Sequence, residues 1–84
     1  MKHLAHPDFW VYYHQLPSHI YELADKNFQL MKESPRHPSV RLKKVGILWS
    51  ARVGLHYRAL AKEESDVLVW FWIGHHADYD KYLN

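Results

Sequence analysis

The chain has 84 residues, with eleven Lys and Arg against nine Asp and Glu, eight His and no Cys. A chain of this length is one domain that buries only about 60–65% of its extended-chain surface, and 48% hydrophobic and 15% aromatic residues exclude the disordered class. Without Cys there are no disulfides, thiolate metal sites or thiol nucleophiles, so a stapled secreted mini-protein is excluded and a reducing, cytoplasmic home is expected.

Met1 to Asp8 lacks the apolar run of a signal peptide, and the longest apolar run, Val67 to Gly74, is strand-sized. A spanning helix needs about 20 apolar residues, so no membrane partner is expected. The charge is segregated. Between Ser34 and Lys62 stand Arg36, Arg41, Lys43, Lys44, Arg52, Arg58 and Lys62 with no acid, a distribution that suits a polyanion or an acidic binding protein.

In chain order, Lys2 to Ala5 can form a short strand, and Pro7 suits the first turn of a helix carrying Phe9, Trp10, Tyr13 and Leu16 at spacings of three and four. Pro17 ends it, and Ser18 is a candidate N-cap for a second helix. Ile20, Leu23, Ala24, Phe28 and Met31 make the apolar stripe of that helix, and Pro35 stops it. Two prolines between Ser34 and Ser39 enforce an irregular connection. The period then changes to two: Leu48 to Val53 puts Trp49, Ala51 and Val53 on one face and Leu48, Ser50 and Arg52 on the other. Gly54-Leu55 turns the chain, His56 to Ala61 returns as a hairpin partner, and Lys62 to Asp66 is read as the next turn. Val67 to Ile73 is apolar on both faces, which marks a strand covered on both sides, and Gly74 closes it. Helices followed by strands imply an α+β fold, two N-terminal helices packed on a small antiparallel sheet of three to four strands.

Arg52 at the end of one strand and His75-His76 past the end of another stand where a sheet can border a cleft with rigidly held groups. Cleaving RNA without a metal needs cations at the phosphate, a group to take the 2′-hydroxyl proton and a group to protonate the leaving oxygen. Arg41, Lys43, Lys44, Arg52 and Arg58 offer the cations; His56, His75, His76, Tyr79 and Tyr82 are the proton carriers. In an extended chain His75 and His76 point apart, as do Lys43 and Lys44. Arg58 can equally belong to the framework, and His56 is read as an exposed turn residue. The histidine spacings show no closed ligand set, so no metal or other cofactor is expected.

The runs H-P-S-V-R-L-K-K-V (residues 37–45), W-S-A-R-V-G-L-H-Y-R-A-L (49–60) and V-L-V-W-F-W-I-G-H-H-A-D-Y-D (67–80) resemble the RelE/ParE superfamily of type II toxin–antitoxin toxins, across nearly the whole chain. The resemblance implies a toxin that cleaves messenger RNA on the ribosome. It favours the YafQ/RelE-like branch, with Arg52 at the strand arginine that contacts the scissile phosphate and His76 at the position of the catalytic histidine. Tyr79 or Tyr82 would match a C-terminal aromatic, and Arg41, Lys43, Lys44, Arg58 and His75 would contact RNA. A cognate antitoxin is implied as partner, with a homodimer or a toxin–antitoxin hetero-oligomer as the assembly. The alternatives are a ParE-like inhibitor of DNA gyrase and an inactive protein-binding member of the fold.

Overall fold

The computed structural model describes residues 2–83. Along the chain come β1 (Lys2–Ala5), α1 (Pro7–Tyr13), α2 (Ser18–Glu33), β2 (Lys43–Val45), β3 (Leu48–Val53), β4 (Tyr57–Glu64), β5 (Val67–His75) and α3 (His76–Leu83). The strands form one sheet in the order β1-β5-β4-β3-β2. β2 to β5 are antiparallel neighbours, whereas β1 runs parallel to β5, from Lys2 opposite Val67 to Ala5 opposite Trp70. The α+β architecture is thus as expected, but the sheet has five strands and is mixed, and there is a third helix.

Local chemistry accounts for the boundaries. Pro7 occupies the start of α1, where its missing N–H is not needed, and the His6 side chain accepts from the Asp8 N–H in place of a Ser or Asp cap. α2 begins directly after Pro17 without a side-chain cap, so Ser18 is its first residue and not its N-cap. β4 runs two residues past Lys62, because the tight turn is made by Ser65 in the left-handed region and Asp66 alone.

The core lies between α1, α2 and one face of the sheet. Leu16, Ile20, Ala24 and Met31 from the helical side meet Ala51, Val53, Ala59, Ala61, Leu68, Trp70 and Ile73. The alanines of β3 and β4 give α2 room to approach the sheet. One position departs from the apolar spacing: Phe28 is exposed, with the Lys32 ammonium 4.9 Å above its ring, while Asn27 is buried in its stead. Between Leu60 and Ala61 the register with β5 shifts, Leu60 facing Trp72 and Ala61 facing Trp70, so Phe71 is the extra residue of a bulge. The bulge returns Ile73 to the helical face and turns Trp72 to the opposite one.

Candidate functional site

The sheet face away from α1 and α2 follows from register, since residues directly opposed across antiparallel strands share a face. Ser50, Leu60 and Trp72 form one row, and Arg52, Arg58 and Gly74 form the next. Lys43 pairs with Ser50 and joins this face, whereas Lys44 pairs with Trp49 and belongs to the other. Both arginines are half-buried and stand opposite each other, an arrangement of like charges that is unfavourable by itself. Burial, and then the neighbouring Arg52 charge, hold the Arg58 guanidinium below its ordinary value, with Tyr79 and Asp80 opposing that trend and Arg41 adding to it. Among the described residues neither Arg52 nor Arg58 forms an ion pair. Their polar contacts are to backbone: Arg52 Nε donates to the Gly54 carbonyl at 2.9 Å and Arg58 donates to the Tyr57 carbonyl at 2.8 Å.

Two hydrogen bonds fix the Arg52 backbone. β2 stops short of it, so its outward backbone groups need other partners. Its N–H donates to the Val40 carbonyl at 2.6 Å, and its carbonyl accepts from Asn27 Nδ2 at 2.9 Å. Sequence reasoning missed Asn27; its signal is an amide three residues after Ala24 and four before Met31, inside an apolar stripe. Val40 is buried, and the next residue, Arg41, has a φ of +46°, a left-handed backbone that a non-glycine residue holds only where its surroundings impose it.

α3 sets the other boundary. It starts at His76 and folds back over the arginine face, bringing Tyr79 and Asp80 near Arg58 and laying Tyr82 on Trp72, ring centroids 5.1 Å apart. Gly74 has a steric reason: a Cβ there would meet the Trp72 ring at 2.6 Å, so the indole lies over the glycine beside Arg58. The two tyrosines therefore separate. Tyr79 is half-buried beside the arginines, whereas Tyr82 packs among Tyr12, Phe71 and Trp72, and burial, then Tyr12, push its hydroxyl up to about 12.

His75 and His76 do not diverge. The strand ends between them, and the turn into α3 brings their rings to 4.5 Å between centroids. His56, from the β3–β4 turn, stacks on His75 at 6.1 Å, and its carbonyl accepts the His76 N–H at 2.7 Å. His76 lies two residues beyond Gly74, the partner of Arg58, whereas His75 pairs with Tyr57, rings 5.5 Å apart, and so belongs by register to the helical face; the cluster sits at the end of the sheet, just past the arginine row.

A family model described as a ParE-like toxin domain matches residues 18–81. No curated protein matches the sequence significantly. Among solved structures, the fold is similar to that in the RelB–RelE antitoxin–toxin complex from Methanococcus jannaschii, with a TM-score of 0.73 and 18% identity over 96% of this chain and 99% of that one. It is also similar to that in the toxin–antitoxin complex RelBE2 from Mycobacterium tuberculosis, with a TM-score of 0.65 and 19% identity over 88% and 95%. A YoeB/ParE toxin from Agrobacterium tumefaciens matches with a TM-score of 0.62 and 15% identity over 90% and 99%.

Proposed function

Because this chain belongs to the ParE-like toxin family, we propose that it is the toxin of a toxin–antitoxin pair and that it cleaves messenger RNA on the ribosome without a metal. One observation carries the reading: Arg52 and Arg58 oppose each other on the sheet face that α3 borders, with no ion pair to either among the described residues and Tyr79 alongside. Two guanidiniums held together against their mutual repulsion favour an anion between them, and a phosphodiester presents two oxygens to such a pair.

In the proposed reaction the 2′-oxygen attacks the adjacent phosphorus, and the bond to the 5′-oxygen breaks to leave a cyclic phosphate. Arg52, with Arg58 and Lys43 on the same face, stabilises the charge that builds on the phosphorane. Tyr79, beside Arg58, is the hydroxyl placed to take up the 2′ proton while passing its own to a non-bridging phosphate oxygen, and protonated His76 gives its proton to the departing 5′-oxygen. Arg41, near Arg58, flanks that track and would hold a neighbouring nucleotide, whereas His75, on the helical face by register, would touch only RNA that passes round the end of the sheet. Tyr82, packed on Trp72, supports the floor of the site, and Lys44, on the opposite face, serves only RNA that wraps the sheet edge. The partner would be an antitoxin, as in the complexes from Methanococcus and Mycobacterium, with acidic groups to meet the same arginines.

The test is purified protein added to translating ribosomes, with the message mapped for new 5′ ends. Cleavage that is lost in both Arg52→Ala and His76→Gln is expected; cleavage untouched by these changes, or none from the wild type, removes the nuclease reading. The ParE-like description of the matching family favours a second reading, inhibition of DNA gyrase by binding. In that case the arginines would contact protein or DNA, and His76 would be dispensable.

A further inference from the structure

We infer that His56, His75 and His76 form a site for a zinc ion at the end of the sheet. Each offers one ring nitrogen, and these atoms all lie within 4.8 Å of one another. In a tetrahedral zinc site with Zn–N bonds of about 2.0–2.1 Å, ligand nitrogens are separated by about 3.4 Å. Closing from the observed spacing moves each nitrogen by less than about 1 Å toward a common centre, a change that rotation of exposed rings supplies. All three residues are exposed, so an ion enters directly and a fourth position stays open to water.

The backbone is built to keep the three together. Tyr57 pairs with His75 across β4 and β5, and the His56 carbonyl accepts the His76 N–H at 2.7 Å, which ties the β3–β4 turn to the start of α3. Consecutive histidines serve one ion here only because the strand gives way to a helix between them. Three imidazoles with no thiolate and no carboxylate select zinc and its late transition-metal neighbours over calcium or magnesium, which take oxygen ligands.

Binding has a structural consequence. His75 Nδ1 accepts the Ala77 N–H at 3.1 Å. Ligation through Nδ1 displaces that bond directly, and ligation through Nε2 moves the ring proton to Nδ1, which ends it as well. Zinc therefore loosens the first turn of α3, the helix that places Tyr79 beside Arg58, and it occupies the His76 lone pair. Resting on the nuclease proposal, this makes zinc an inhibitor of cleavage.

The experiment is calorimetric titration of zinc chloride into the intact protein in a non-chelating buffer, with His56→Gln, His75→Gln and, as a control outside the cluster, His37→Gln. One ion per chain is expected, with affinity falling by at least about tenfold in the first two variants and unchanged in the third. Circular dichroism confirms that His56→Gln is folded, and the d–d spectrum of the cobalt-substituted protein reports a tetrahedral site without reference to activity. Equal zinc affinity in wild type and His56→Gln, or no binding, overturns the site. RNA cleavage with and without zinc, each protein normalised to its own zinc-free rate, is the second readout. Inhibition of the wild type that His56→Gln relieves supports the regulatory role; binding without inhibition overturns that role and leaves the site standing. A protein that binds zinc but never cleaves RNA sinks the nuclease proposal alone.

Discussion

On β3 and β4 one face carries Ala51, Val53, Ala59 and Ala61, and the other, one residue out of step, carries Ser50, Arg52, Arg58 and Leu60. The first face is buried under α1 and α2 and is built of small and branched apolar groups that fit closely. The second ends in two half-buried guanidiniums whose polar contacts, among the described residues, are to backbone carbonyls. A strand alternates at every residue, so a single pair of strands provides a packed anchor and a charged working surface with no loop between them. Changes on the helical face should therefore act on stability, and changes on the arginine face on activity.

The sharpest way to break this division is Arg58→Ala. Cleavage is expected to fall by about 10²–10³-fold, the usual cost of losing one preorganised stabilising group, while the melting temperature stays level or rises, because a half-buried charge and its repulsion from Arg52 are removed together. A collapse in melting temperature would make Arg58 a framework residue. On the opposite face, Leu68 is fully buried, and Leu68→Ala should cost about 2–5 kcal/mol in urea unfolding with the rate of the folded fraction unchanged. Asn27→Ala joins the two faces: it leaves the Arg52 carbonyl without its partner, costing about 1–3 kcal/mol, and it should also lower the cleavage rate because Arg52 loses its fixed backbone. If the rate is unaffected, Asn27 serves the core alone.

The smallest effect concerns pH. Burial, chiefly, lowers the affinity of His3 for its proton, and His3 Nδ1 accepts from Trp70 Nε1 at 3.1 Å. The unfolded chain thus takes up a proton that the folded one resists, so stability is full above the ordinary histidine value of about 6.5 and declines as the pH falls through it. Thermal unfolding at pH 7.5 and 5.5 should show a drop that is reduced in His3→Gln.

Much of this division could be read from the chain itself. The alternation of Leu48 to Val53 and of the returning strand is enough to assign the faces, because period two over six residues leaves no other half-buried arrangement. β2 escapes because Lys43–Val45 is too short to show a period. α3 escapes because Tyr79 and Tyr82 are its main apolar anchors, and its polar residues read as a tail. Missing α3 leads directly to the divergent reading of His75 and His76, which holds only for an extended chain. The cluster with His56 rests on the pairing of β4 with β5, and no spacing along the sequence encodes that pairing. The buried amide of Asn27 is legible in principle as a polar break in the α2 stripe, yet its partner, a backbone carbonyl 25 residues away, is not.

That the arginine face acts on RNA is the central claim. Its most direct test places one preparation of the protein in two reactions: ribosomes translating a defined message, and gyrase supercoiling a relaxed plasmid. The expected result is a cut message with normal supercoiling; blocked supercoiling with an intact message would contradict it.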